Sequence, residues 1–465
     1  MPLNTRHSLS TSSAEIDEIS ISSVESDPIS KLEFGFSELS QVQKISDKEF
    51  EPIDAFNFMF FAFFYFGCSS LISWNMFITV SFDYYESYKL LHSNSTSTWY
   101  SENFQNAMTI CSQIPDFLFC VFGIFLDLRG NLPRRMSISI FISILTLLAT
   151  MGFIYVPTES WLLVFFVFTL VTVVVLNSAI GVYDNSLFGL VSTFPFKYTL
   201  AVVIGQNFNG ILITSLSILS KIVSSDVHIS SMVFFGIAVA AKLGCLFLLK
   251  MMEKNEFFLH YGVLDKKDSV DQKSEIDELS IWRKLYEAFK KGKWQFLNIF
   301  VCMFVTFSVF PNITLYIRDE PLGQPYSFIV PEKFYNDVVT FLNFSLFSFL
   351  GSLLANSIQW PGPKWAWLPV WSRLWFLFYF PMCNYQPDER KFEVIFPSTW
   401  LFISGQSIMA FSCGYLSSII MMYAPKTCTE PALQRLAGMS AYICLLIGSI
   451  GGLVFSWVIK IIVLN

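Results

Sequence analysis

Charge and histidine are what this chain has least of. Asp, Glu, Lys and Arg make up 14% of it, and its 4 histidines, His7, His92, His228 and His260, avoid the middles of the apolar runs. That argues against an enzyme that depends on imidazole chemistry inside a membrane. There is no Walker A loop, no His-Glu-x-x-His and no Gly-x-Ser-x-Gly elbow, so no hydrolytic set stands out. The 9 cysteines mostly lie in apolar runs at no metal-ligand spacing. They read as small packed residues, with no disulfide framework, metal site or cofactor implied. No cleavable leader is expected, because the first apolar segment is far from Met1 and too long for a signal core. A net charge of -6 argues against a nucleic-acid partner.

What the chain has in quantity is apolar surface: a hydrophobic fraction of 53%, with 51 Phe spread along its length. Both exceed the usual composition of a soluble domain. Eleven apolar runs follow, near 56–80, 103–126, 136–156, 160–191, 198–221, 230–252, 294–317, 334–359, 365–384, 394–423 and 435–463. At about 1.5 Å rise per residue, runs of this length cross a hydrocarbon core of about 30 Å. The expected fold is an all-α polytopic membrane protein with a lipid bilayer around it. Residues 1–55, rich in Ser, Glu and Asp, read as a disordered cytosolic tail. Residues 56–252 form a six-helix bundle, 253–293 a cytosolic loop, and 294–465 a five-helix bundle. Ile281, Trp282, Leu285 and Phe289, with nearby lysines, suggest an amphipathic helix on the anionic inner leaflet within that loop.

Basic residues set the orientation. Arg129, Arg134, Arg135, Lys197, a lysine-rich sixth-to-seventh loop, Lys364, Lys426 and Arg435 fall on one side, and few on the other. The positive-inside rule then puts the N-terminus in the cytosol and the C-terminus outside. Asn94-Ser95-Thr96 is a glycosylation acceptor in the first outer loop. No acidic dileucine pattern points to lysosomes, so the plasma membrane is the favoured residence.

Polar residues inside the runs are costly, and they mark solute paths or interhelical ties. Trp74-Asn75 closes the first run, and an Asn there must face other helices or a wet cavity. The second run has Gln113, Pro115 and Asp116; the proline frees a backbone carbonyl, and the carboxylate needs water, a ligand or a partner. Asn177 and Asp184 share a face of the fourth run. Gly205-Gln206-Asn207 and Asn209-Gly210 mark the fifth, as close-packing glycines with amides open to either use. The eighth carries Phe341, Ser345, Ser348 and Ser352, and the ninth Arg373, which reads as a snorkelling residue or an inner-gate tie.

These motifs resemble the equilibrative nucleoside transporters. The likeness runs through Trp74-Asn75, Met108-Thr109 to Pro115, Ser186-Leu187-Phe188-Gly189-Leu190 with Pro195, and Gly205-Gln206. It continues at Trp360-Pro361-Gly362, Arg373 with Cys383-Asn384, Phe411-Ser412 with Gly414-Tyr415-Leu416, and Pro425-Lys426. The resemblance implies a major-facilitator-like arrangement of six plus five helices and facilitated diffusion of nucleosides by alternating access. It places a central cavity at Trp74, Gln113, Asp116, Asp184 and Phe341, with Ser345 and Ser348 beside them. It gives Asn75, Pro115, Gln206 and Arg373 gating or structural roles. Many members carry an Asp and an Arg on the eighth span where this chain has Ser348 and Ser352. Asp116 and Asp184 are then the expected acceptors for ribose hydroxyls, with Trp74 and Phe341 facing the base. Proton coupling, and carriage of organic cations or monoamines, are the alternatives.

Overall fold

Long apolar runs leave their backbone no choice in a bilayer: every N–H and C=O must pair within its own segment, which only a helix allows. A computed structural model describes residues 53–464, apart from 81–83, 86–87, 92–97, 128–130, 159, 224–225, 262–277, 320–325 and 388–389. The tail to residue 52 and the acceptor Asn94 lie outside the described residues. The long helices are α1 (Phe58–Val80), α2 (Trp99–Asp127), α3 (Leu132–Gly152), α4 (Leu162–Val191), α5 (Phe196–Val223), α6 (Val227–Met252) and α7 (Glu278–Val309). They continue with α8 (Asn343–Ser357), preceded by a wide π-turn at Asn336–Leu342. The ninth run forms α9, a broken helix of four pieces: Trp367–Ser372, Arg373–Trp375, Phe376–Tyr379 and Phe380–Met382. Last come α10 (Thr399–Lys426) and α11 (Pro431–Leu464).

Among the described residues, 10 helices are long and apolar enough to cross a membrane. The eleventh expected span is α9. Its pieces are too short to qualify singly, and proline at positions 369 and 381 removes the backbone donors a continuous helix needs. A second difference lies before the seventh span. The segment expected to rest on the leaflet is the first part of α7 and runs into the span as one helix, Glu278–Val309.

Three apolar cores show how the halves meet. The end of the bundle where α1 begins is called proximal, the other distal. One core fills the proximal end and is common to both halves: Met59, Phe63, Leu187 and Leu249 from the first, Phe296, Ile299, Ile419 and Leu433 from the second. At the distal end the cores are separate. Ile72, Phe77, Met108, Phe165 and Phe235 pack within the first half. Val309, Ile313, Val339, Phe402 and Ile459 pack within the second. The halves share an apolar core proximally, whereas distally their apolar cores are separate and the Lys221–Asp337 ion pair links them.

Close approach between helices depends on glycine. A Cβ on Gly67 would collide with the Val202 carbonyl, and one on Gly205 with the Phe64 carbonyl, so α1 and α5 touch backbone to backbone. Gly351 and Gly414 do the same for α8 and α10.

Candidate functional site

Polar side chains collect where the shared core meets the distal half of the bundle. Asp184, on α4, is completely buried, and its Oδ2 accepts a hydrogen bond of 2.9 Å from Tyr442 Oη on α11. Its Oδ1 has no hydrogen-bond partner. Below this bond the Tyr442 ring stacks on Phe188 at 4.8 Å, and Gly189 and Gly438 let Met439 and Ser192 close in. The α4–α11 contact therefore joins the two halves.

Lys242 of α6 is 1% exposed, and its Nζ donates to the Ser69 carbonyl at 2.7 Å. The ammonium also lies 5.0 Å from the centre of the Tyr183 ring, a cation–π contact. Its charge acts on Asp184 across the α4–α6 space. The sequence reading passed over Lys242. The signal was present, since a lysine sits deep within an otherwise apolar run and the cost of intramembrane charge applies to it as to Asp116.

Asp116 has a different setting. Its backbone carbonyl and Oδ1 lie directly over Gly181, one turn from Asp184, so α2 and α4 are nearly in backbone contact. Oδ1 is shielded and has no hydrogen-bond partner, yet the residue keeps partial exposure. The charge of Asp184 acts on it, and its own charge acts on Tyr442. Gln113, one turn earlier, is also partly exposed. Pro115 sits inside α2 without ending it.

The remaining expected positions divide between the two halves. Trp74 is partly exposed and packs on the distal core of the first half. The Asn75 carbonyl accepts from Thr79 Oγ1 at 2.8 Å. Gln206 Nε2 donates to Ser70 Oγ at 3.2 Å, which ties α5 to α1 beside Asp184. Asn177 is buried and donates to the Val173 carbonyl of its own helix. Across α5, Asn207 serves the second half: Ser348 Oγ donates to its Oδ1 at 2.9 Å, and its Nδ2 donates to Ser352 Oγ at 2.6 Å. Ser345 lies against Gly210. At the distal end Lys221 and Asp337 form an ion pair of 2.6 Å. Phe341 is partly exposed and meets Phe310 edge-on at 5.9 Å, and Phe310 stacks on Phe344 at 3.9 Å.

Two expected contacts thus point to the protein itself. Asp184 is closed in by Tyr442, and Ser348 is spent on Asn207. Arg373 neither snorkels nor bridges the halves. It is 2% exposed and donates to the Cys302 carbonyl at 3.3 Å, Thr306 Oγ1 at 2.7 Å and the Met409 carbonyl at 3.3 Å. It ties α9 to α7 and α10 within the second half. Arg373→Lys keeps the charge but loses the planar fork. It is expected to cost about 1.5 kcal/mol, read as a lower melting temperature of the detergent-solubilised protein. Asn209 belongs to the glycine-amide cluster of α5. It is fully buried with both amide atoms unpartnered.

Two helical bundles that share a core at one end make up a major-facilitator-like fold. Solved structures agree on the fold. The Escherichia coli fucose:proton symporter matches with a TM-score of 0.58 and 11% identity, over 89% of this chain and 92% of that one. A proton:xylose symporter of the major facilitator superfamily matches with a TM-score of 0.54 and 11% identity, over 87% of each chain. The chain belongs to the nucleoside transporter family, whose sequence profile matches residues 170–461. Equilibrative nucleoside transporter 1 of Mus musculus is 27% identical, over 89% of this chain and 99% of its own length. Equilibrative nucleoside transporter 2 of Homo sapiens is 26% identical, over 88% and 98%.

Proposed function

We propose that this protein carries nucleosides across a membrane by facilitated diffusion and alternating access. The observation that carries the reading is the pairing of one shared proximal core with two separate distal cores. It is the packing required of a carrier open to one side. Asp116 and Gln113 supply acceptors and donors for ribose hydroxyls, and Trp74 and Phe341 offer ring faces to the base. Asp184 acts beneath them, in the seal. The proximal end carries Lys197, Lys254, Lys364 and Lys426, so the positive-inside rule makes it cytosolic. The helices then describe an outward-facing state. The C-terminus is extracellular, the Asn94 loop lies outside and available for glycosylation, and the plasma membrane is the residence.

The test is a panel uptake assay in transporter-null cells at two external pH values. Saturable uptake of labelled uridine or adenosine is expected, indifferent to pH and protonophores and not competed by monoamines. Lack of any saturable nucleoside flux would remove the reading, and competition by monoamines would favour a cationic substrate. Proton coupling is the second reading. The unpartnered Asp116 Oδ1 supports it, and uptake that rises with external acidity and collapses with a protonophore would select it.

A further inference from the structure

The buried lysine of α6 has no place in the substrate contacts proposed above. Its surroundings nevertheless connect it to a polar bond that crosses the proximal seal, from Tyr442 to Asp184. Asp184 has two oxygens. Tyr442 holds one from the opposite half, and the other is buried without a hydrogen bond. Lys242 is on the same half as Asp184, so it moves with the carboxylate when the halves rock, and Tyr442 does not. A carboxylate that loses its hydrogen bond from the opposite half inside a bilayer is costly unless a counter-charge stands ready, even with the Ser70 hydroxyl beside it. Lys242 provides one, held on the Ser69 carbonyl and on the Tyr183 ring face.

We propose that Lys242 is a positioning residue of the transport cycle. It keeps the Asp184 carboxylate aimed at Tyr442 while the proximal end is closed, and it becomes that carboxylate's partner when Tyr442 withdraws. The unpartnered oxygen is where the exchange occurs. Asp116 lies over Gly181, one turn from Asp184 on the same helix. A solute held by Asp116 therefore presses on the helix that carries the latch. The proposal rests on the carrier reading but not on the identity of the solute.

The experiment reads the seal directly. Ser192 is buried against Gly438 at the proximal end of α4. A Ser192→Cys probe in purified full-length protein, in nanodiscs without substrate, is labelled by a maleimide only when the seal opens; the same protein without the probe gives the background. Tyr442→Phe keeps the ring stack and removes the hydroxyl, and should raise labelling about fivefold. Lys242→Met should lower labelling by a similar factor, because the open state then strands the carboxylate, while Lys242→Arg stays near the parent. A merely structural lysine would not give shifts of opposite sign. If the two variants shift labelling in the same direction, or neither shifts it, the proposal is overturned. Should Lys242→Met not assemble, the doubly neutral Asp184→Asn/Lys242→Met decides. It is expected to be labelled at the rate of Asp184→Asn, because Lys242 acts through the carboxylate, and a fivefold difference between the two overturns the proposal. Because labelling needs no substrate, it separates failure of this latch from failure of the nucleoside reading.

Discussion

Replacing Asp116 with asparagine is expected to cut nucleoside uptake at least tenfold with surface abundance unchanged. The two side chains have the same shape, so the packing over Gly181 survives. What is lost is a charged acceptor. Hydrogen bonds to charged groups contribute about 1.5–3 kcal/mol, and about 1.4 kcal/mol is a factor of ten in affinity. The loss should appear as a higher KM, measured by concentration-dependent uptake normalised to protein at the surface. Asp184→Asn should behave differently. That residue is sealed beneath Tyr442, so its substitution should slow turnover and leave KM nearly unchanged. Equal KM effects at both positions would mean that both carboxylates touch solute.

Gly205→Ala is expected to remove most folded protein. The added methyl would meet the Phe64 carbonyl and the Cys68 backbone, and neither is a side chain that can swing aside. Overpacking a tight site costs about 1–3 kcal/mol, occasionally more, and a backbone-to-backbone contact belongs at the upper end. The displacement would also pull Gln206 from Ser70, beside the polar floor. Size-exclusion profiles and melting temperatures of the solubilised protein would register the change. Gly236→Ala is the control, because a Cβ there meets nothing within 4 Å. A Gly205→Ala protein as stable as that control would refute the packing argument.

Much of the architecture was legible in the residues themselves. Length and apolarity mark the helices, because a bilayer forces each backbone to satisfy itself locally. The glycine-amide cluster of α5 foretold a close helix contact, and Gly205 and Gln206 make one with α1. The broken α9 was harder to read, since composition alone does not separate a full span from short pieces joined at prolines. The extent of α7 was also missed, because an amphipathic pattern looks the same whether the helix lies on a membrane or continues out of it.

The candidate site shows the other limit. Asp116 and Asp184 are the same residue type at similar depth in their helices. One keeps partial exposure and the other is fully buried under a bond from the opposite half. Ser348, on the expected polar face of α8, is consumed by Asn207, whereas Lys242 acquires a partner five helices away in the chain, the Ser69 carbonyl of α1. Hydropathy along the chain sets where it crosses a membrane, so the sequence by itself determined the spans and their polar contents. Which way each helix turns is a matter of its neighbours' shapes. Only the tertiary structure decided which carboxylate keeps partial exposure and which bonds across the halves, because each side chain's surroundings come from segments distant in the chain.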